Sequence, residues 1–161
     1  MKNNYKISCI ITLYNRHEYI NGAIECILNQ TLKPSEIIIV DNSSENIHID
    51  HKYLNKIKIQ KMVPGAGIAQ ALNFGVSIAK GEYISFLEDD DIWPENYLEN
   101  VYSEDYTKYD FIVVPIKKLY DGKIENYKNP KDKITLNNFL ISNPGINISN
   151  LSVKKKSFFA V

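Results

Sequence analysis

Four consecutive carboxylates, those of Glu88, Asp89, Asp90 and Asp91, follow directly on a hydrophobic run that begins at Tyr83. Like charges about 4 Å apart repel by roughly 4 kcal/mol at an effective dielectric of 20, so such a cluster is stabilised by solvent or by a cation. Hard divalent cations bind carboxylate oxygens together with substrate phosphates. The cluster therefore indicates a metal-diphosphate site; the alternative is a solvated turn whose acids favour the N-terminus of the following helix.

Polar residues also follow the first two predicted strands. Ligands of parallel α/β sheets bind beyond the carboxyl ends of the strands, so these residues are candidates for a binding site. The side chain of Asp41 can accept hydrogen bonds from the edge of a nucleotide base, and Tyr14 can stack on its ring. The alternative for Asp41 is capping of a turn together with Asn42 and Ser43.

Three other features near these residues have two interpretations each. Arg16 either reaches a phosphate or is an exposed loop residue. Trp93 either lines a sugar pocket or packs against the sheet. The glycines in residues 65–67 lack the spacing of a phosphate-binding loop and favour a turn before a helix.

Strand-length apolar runs alternate with helical patterns along the chain. The runs occupy residues 7–13, 36–40, 57–63, 83–87 and 111–116, and the helical patterns occupy residues 18–28, 68–79 and 94–102. Farther along, residues 120–123 fit a hairpin turn, residues 136–141 suggest a short helix, and residues 146–153 suggest a further strand. Most of the strand runs are continuously apolar, as in strands buried on both faces. The pattern predicts an α/β fold with a Rossmann-like, mainly parallel sheet and helices on both faces.

Composition narrows the class of protein. The chain has 161 residues, 44% hydrophobic content and a formal net charge of zero, which predicts a single domain and disfavours a nucleic-acid partner. Cys9 and Cys26 lie in apolar stretches and are expected to be reduced core thiols. No run approaches the length of a membrane span, so we expect a cytoplasmic protein.

Several segments together resemble a family 2 glycosyltransferase of GT-A fold. They are residues 7–16, the pair Gln30 and Thr31 followed by residues 36–44, residues 67–75 and residues 79–91. The resemblance covers residues 6 to about 100. It implies a nucleoside-diphosphate sugar donor, usually a UDP sugar, a bound Mn²⁺ or Mg²⁺ ion, and transfer of the sugar with inversion at the anomeric carbon.

The resemblance also implies roles for individual residues in donor binding. Thr12, Tyr14 and Asp41 match positions that hold the nucleoside, with Asp41 facing the base. Asn73 lies in the helix that lines the donor site, and Asp89 matches a ribose or metal contact.

The metal-binding motif of the family, usually Asp-x-Asp, is matched by Glu88, Asp89 and Asp90. Asp90 matches the metal ligand. Glu88 is a departure from the motif because it has one more methylene group, and Asp91 is a candidate to share the coordination.

The resemblance is incomplete on the acceptor side. The family's catalytic base usually follows a segment that resembles residues 147–159, so we expect it beyond Val161. Residues 1–161 are predicted to form a single domain truncated at the C-terminus, with a donor-binding half at 1–100 and a partial acceptor half at 101–161. The terminal residues 156–161 are expected to be an interrupted core element in which Phe158 and Phe159 have little to pack against.

The implied acceptor is a glycan or a lipid-linked glycan. Two further properties stay open: peripheral association with the inner face of the membrane, and assembly into a homo-oligomer. The alternative function is a catalytically incomplete nucleotide-sugar-binding fragment or pseudoenzyme. A phospho-acceptor receiver domain is disfavoured, because its reactive aspartate should end the third strand, where this chain has Met62 and Val63.

Overall fold

A computed structural model of the chain describes residues 5–103, 108–121, 123–126, 143 and 145–159. Strands and helices alternate through the first part of the chain. They are β1 (Ile7–Leu13), α1 (His17–Leu28), β2 (Glu36–Asp41), β3 (Lys58–Lys61), α2 (Ile68–Ile78), β4 (Tyr83–Glu88) and α3 (Tyr97–Val101). The later elements are β5 (Phe111–Val113), β6 (Lys117–Tyr120), β7 (Lys123–Asn126), β8 (Leu151–Lys154) and α4 (Lys155–Phe158).

Six strands form one sheet in the order β3-β2-β1-β4-β8-β5. The first four are mutually parallel, and β8 runs antiparallel to both β4 and β5. The register aligns Leu13 with Asp41 and Thr12 with Glu88, so the carboxyl ends of β1, β2 and β4 meet at one edge of the sheet.

Helices cover both faces of the sheet, as predicted. Alternate residues of β1 point to opposite faces, so Cys9 and Ile11 pack in one buried cluster with α1 and α3, whereas Ile10 packs in another with α2. A Cβ atom on Gly75 of α2 would lie 2.8 Å from Ile10 Cγ2, which shows how closely this helix approaches the sheet.

The amino edge of the sheet is held by the carboxylate of Glu36. It accepts hydrogen bonds from Ser8 Oγ (2.6 Å), from the backbone N–H of Lys80 and from the ammonium of Lys58. Ser8 Oγ in turn accepts the backbone N–H of Gly81 (2.8 Å). The network ties the starts of β1, β2, β3 and β4 together.

Helix α3 is shorter than the predicted helix over residues 94–102, because a distant side chain intervenes. In a helix starting at Pro94, the N–H of Leu98 would donate to the carbonyl of Pro94. The fully buried amide of Gln30 takes both groups instead: its Oε1 accepts from Leu98 (2.9 Å), and its Nε2 donates to Pro94 (2.8 Å).

The predicted strand over residues 146–153 is also wrong in part. Residues Ile148–Asn150 form a 3₁₀ turn, and β8 begins only at Leu151. Buried Asn150 causes the change, because its amide accepts from the backbone N–H of Asn147 (2.8 Å) and donates to the carbonyl of Val114 (2.8 Å). The same contact ends β5 at Val113, before the predicted residue 116.

The remaining predictions concern the hairpin and the chain end. Strands β6 and β7 pair antiparallel with Tyr120 opposite Lys123, as the predicted hairpin turn requires. A short helix predicted over residues 136–141 lies outside the described residues. Phe158 packs against Phe86, with ring centroids 6.1 Å apart, which corrects the expectation that it has little to pack against; Phe159 is 55% exposed.

Candidate functional site

A cleft of about 380 Å³ lies at the carboxyl ends of the parallel strands. Its walls come from the ends of β1, β2 and β4 and from the start of α2. The lining residues are Thr12, Leu13, Tyr14, Arg16, Asn42, Gly65, Gly67, Ile68, Glu88 and Asp89. Four of the residues predicted to bind the donor or the metal, Thr12, Tyr14, Glu88 and Asp89, are thus brought together.

The loop after β1 is fixed to the end of β2. Asn15 adopts a left-handed backbone conformation, with φ of 55°. Its N–H donates to Ser43 Oγ (2.9 Å), and its Oδ1 accepts from the N–H of Ser44 (3.1 Å). The sharp turn places Tyr14 and Arg16, on either side of Asn15, at the cleft, and Tyr14 is 52% exposed there.

Asp41 ends β2 as a buried carboxylate, 1% exposed. Its Oδ1 accepts the N–H of Ser43 (2.9 Å), which is the turn-capping interaction considered from the sequence. Its Oδ2 is buried and has no hydrogen-bond partner among the described residues, although Lys61 Nζ lies 3.7 Å away. Asp41 therefore has spare hydrogen-bonding capacity, and a donor on a ligand would relieve the cost of the unsatisfied acceptor. The next residue, Asn42, lines the cleft.

The acidic residues form a tight turn after β4, in which the N–H of Asp91 donates to the carbonyl of Glu88 (3.2 Å). Asp89 is buried, Asp90 is exposed and Asp91 is half-buried. The turn is supported from behind by Ser149, whose Oγ accepts the N–H of Glu88 (2.9 Å). The acids are therefore held by the fold and are not part of a loose solvated loop.

Electrostatics make two of these carboxylates harder to ionise. Burial raises the pKa of Glu88, and the charges of Asp91 and Asp90 raise it further. Burial also raises the pKa of Asp89, while the guanidinium of Arg16 opposes that increase. A cation placed at the turn would relieve both effects.

Arg16 contacts the acidic turn directly. Its Nη1 lies 3.3 Å from Asp89 Oδ1 and also makes an ion pair with Asp90 Oδ2. The contact spans 73 and 74 residues of sequence, so neither interpretation of Arg16 from the sequence included it. The position of Arg16 three residues beyond β1 was the available signal, since the loop that follows this strand faces the acidic turn.

Other candidate residues lie outside the cleft lining. Asn73 is exposed on α2, five residues beyond Ile68. The exposed Asp90, the half-buried Asp91 and the buried Asp41 are not lining residues either. Trp93 is buried, stacks on Tyr97 with ring centroids 4.2 Å apart and donates to the carbonyl of Ser149 (2.7 Å). Trp93 therefore packs against the sheet, one of its two interpretations.

The turn before α2 contributes cleft residues that sequence reasoning treated as structural. Gly65 and Gly67 have φ values of 74° and 89°, a region that favours glycine, and both line the cleft. They do form the predicted turn. Their position after a parallel strand was the signal for a second role.

The residues at the acidic turn fit a hard divalent cation by their chemistry. All four side chains offer oxygen donors, and the two that line the cleft have raised pKa values. Among the described residues, no group of three or more His, Cys, Asp or Glu side chains is arranged to hold a metal by itself. Mg²⁺ typically takes one or two carboxylates from a protein and completes its shell with phosphate and water.

Comparison with known proteins gives a consistent picture. A profile of the family described as Glycosyl transferase family 2 matches residues 8–158. Glycosyltransferase GlyG of Streptococcus pneumoniae is 35% identical over 126 residues, which cover 75% of this chain and 42% of GlyG. The Escherichia coli UDP-Glc:alpha-D-GlcNAc-diphosphoundecaprenol beta-1,3-glucosyltransferase WfaP is 35% identical over 127 residues, which cover 68% of this chain and 50% of WfaP. The chain thus spans half or less of the length of these two relatives.

Solved structures share the fold. The crystal structure of residues 1–349 of S. aureus TarS in complex with UDP-GlcNAc matches with a TM-score of 0.70 at 21% identity, covering 93% of this chain and 45% of that one. This likeness confirms the GT-A fold predicted from the sequence. No helix within the described parts of the chain is long and apolar enough to cross a membrane.

Proposed function

Because this chain belongs to glycosyl transferase family 2, we propose that its cleft binds a nucleoside-diphosphate sugar, and that the protein transfers the sugar to a glycan or lipid-linked acceptor. The proposal is carried by a buried carboxylate with spare hydrogen-bonding capacity, that of Asp41, next to the lining residue Asn42, together with an acidic turn that contributes Glu88 and Asp89 to the same cleft. The first suits a base and the second suits a metal-bound diphosphate. The cleft volume lies within the range of small-molecule sites.

Asp41 favours a uracil base. An ionised carboxylate only accepts hydrogen bonds, and uracil presents a ring N–H flanked by two carbonyl groups, whereas the corresponding ring nitrogen of cytosine is itself an acceptor. Asp41 Oδ2 lies 3.7 Å from Lys61 Nζ but accepts no hydrogen bond from the described residues, so such an N–H would satisfy it. In the proposal, Tyr14 stacks on the base, and Thr12 and Asp89 contact the nucleoside.

The acidic turn would hold Mn²⁺ or Mg²⁺, with Asp90 as the principal ligand and Glu88 and Asp91 as further candidates. When bound, such an ion supplies a Lewis acid that stabilises negative charge on the leaving diphosphate. The protein's own contribution is positional. Ser149 fixes the backbone of Glu88, and two carboxylates of the turn, those of Glu88 and Asp89, line the cleft.

Transfer with inversion requires a base that takes the proton of the acceptor hydroxyl on the face of the sugar opposite the diphosphate. None of the described residues is assigned this role. In the proposal, the base belongs to the acceptor side of the protein. The names of the relatives fit a donor of this class, since that of WfaP states a UDP-Glc donor and a diphosphoundecaprenol-linked acceptor.

The test is calorimetric titration with UDP, GDP and CDP, with and without Mn²⁺. We expect UDP to bind most tightly and only weakly without Mn²⁺. Asp90→Ala and Asp41→Asn should each weaken UDP binding by roughly 10- to 100-fold, the loss of a hydrogen bond or ion contact to a charged group. Asn73→Ala tests the predicted contact on α2.

Glu45→Gln is the matched control, because Glu45 is an exposed acid in the loop after β2. UDP binding that is independent of metal and unaffected by Asp90→Ala would refute the metal site. Release of UDP from UDP sugars in the presence of acceptor separates a transferase from a module that only binds the donor.

A further inference from the structure

Arg16 is the one basic side chain among the described residues that line the cleft. It already makes ion pairs with two of the carboxylates proposed to serve the metal and the nucleotide, Asp89 and Asp90. A guanidinium cannot be deprotonated in a protein, so its charge is present at every working pH. Arg16 and a divalent cation therefore compete for the carboxylate oxygens of Asp89 and Asp90.

We propose that Arg16 is an exchangeable counter-ion of the acidic turn. Arg16 pairs with Asp89 and Asp90 until a divalent cation displaces it, and the displaced guanidinium then binds the diphosphate of the donor. The inference rests on the proposed function for its metal and donor. It adds a role for a residue that neither the sequence pattern nor the proposed site requires.

The ion pair between Arg16 and Asp90 is weak enough to be exchanged. The side chain of Arg16 is 49% exposed and that of Asp90 is 42% exposed, so this part of the contact is a surface ion pair of small net strength. The side chain of Asp89 is only 7% exposed, so leaving its charge without a positive partner is costly. A divalent ion supplies that partner in place of the guanidinium.

The displaced guanidinium stays at the cleft, because its backbone is anchored there. The preceding residue, Asn15, is held through both its N–H and its side chain to Ser43 and Ser44. An arginine tethered at the mouth of a cleft that takes a diphosphate matches phosphate oxygens with two parallel N–H donors. The same side chain thus opposes the metal and favours the nucleotide.

These two effects give Arg16→Gln opposite consequences for two ligands. Without nucleotide, the variant should bind Mn²⁺ about two- to fivefold more tightly than the wild type, the strength of a partly exposed ion pair. In the presence of saturating Mn²⁺, it should bind UDP roughly tenfold more weakly, as expected for a lost charge-assisted contact. Electron paramagnetic resonance of free Mn²⁺ measures the first effect, and calorimetry with UDP measures the second.

Two controls separate this exchange from a change in overall charge or packing. Lys56→Gln removes the same charge from an exposed residue just before β3, at the opposite edge of the sheet, and should change neither affinity. Arg16→Lys keeps the charge without the two-pronged donor, so Mn²⁺ affinity should stay near the wild-type value while UDP binding falls.

Unchanged or weaker Mn²⁺ binding by Arg16→Gln would overturn the inference. This result is distinguishable from failure of the proposed function. If the wild type binds UDP with Mn²⁺ and loses it in Asp90→Ala, the function stands whether or not Arg16 exchanges. If the wild type binds no UDP, both fail together.

Discussion

Glu36 and Asp41 stand at the two ends of β2, and the environment of each carboxylate determines what it can do. Glu36 receives donors from Ser8, Lys58 and the backbone of Lys80, so its capacity is used within the fold. Asp41 has one oxygen satisfied, and its other oxygen accepts no hydrogen bond from the part of the chain that the structure describes. The first carboxylate is therefore structural, and the second is the one that we propose binds the base.

The hydrogen bonds of Glu36 predict a pH-dependent contribution to stability. Burial raises the pKa of Glu36, but the donors from Lys58, Ser8 and Lys80 lower it more, and the net pKa lies below the ordinary 4.5. A depressed pKa adds stability that is present above about pH 4.5 and is lost as the pH falls through the folded-state pKa.

Glu36→Gln should accordingly lower the free energy of unfolding at pH 7 by roughly 1.5–3 kcal/mol. Urea denaturation at a series of pH values should show the difference from the wild type shrinking below about pH 4.5. The exposed Glu25→Gln in α1 serves as the control and should change little. A difference that is constant with pH would contradict the assignment.

At the scale of elements, the two long helices each contain one glycine, and the two glycines have different surroundings. Gly75 of α2 faces side chains of β1 and β2, and an added Cβ would lie 2.8 Å from Ile10 Cγ2 and 3.1 Å from Val40 Cγ2. Gly22 of α1 has nothing within 4 Å of the same position. The pair separates helix propensity from packing.

Gly22→Ala should raise the free energy of unfolding by roughly 0.5–1 kcal/mol, because alanine restricts the unfolded chain and favours helix. Gly75→Ala should lower it by about 1–3 kcal/mol, because the methyl group overpacks the contact with the sheet. Urea denaturation of both variants provides the measurement. A Gly75→Ala variant at least as stable as the wild type would contradict the close approach of α2 to the sheet.

Elements were predictable from the sequence wherever local pattern decides them. The predicted bounds of β1 are correct, because a strand buried on both faces is mostly apolar along its whole length. The ends of α3, β5 and β8 were not predictable, because they depend on the amides of Gln30 and Asn150. Gln30 acts from 64 and 68 residues away, a distance at which sequence pattern carries no information.

For the site, too, the sequence predicted what local pattern decides and missed what depends on distant contacts. Thr12, Tyr14, Glu88 and Asp89 were placed at the cleft because the carboxyl ends of parallel strands share one edge. The contact between Arg16 and the acidic turn was missed, since a lone arginine in a loop has no pattern that names its partner. The lack of a hydrogen-bond partner for Asp41 Oδ2 among the described residues likewise becomes visible only in the packed structure.

At the scale of the whole molecule, donor binding and stability are linked. A ligand that binds only the folded state adds about 2.7 kcal/mol when its concentration is 100 times its dissociation constant. For a chain of this size, UDP with Mn²⁺ at that level should raise the melting temperature by roughly 5–10 °C. Differential scanning fluorimetry measures the shift, and Asp41→Asn at the same concentrations should show a much smaller one. An equal shift in both proteins would place the nucleotide elsewhere.

The hydrogen bond between Glu88 and Ser149 joins residues 61 positions apart. Ribosomes add roughly 5–20 residues per second, so about 3–12 s separate the synthesis of the two partners. During that interval β8 does not exist, and the edge of β4 that it will cover is bare in the nascent chain. An uncovered strand edge invites pairing with other chains, and flanking charges oppose it. The four carboxylates at residues 88–91 thus also stand where charge opposes aggregation of the growing polypeptide.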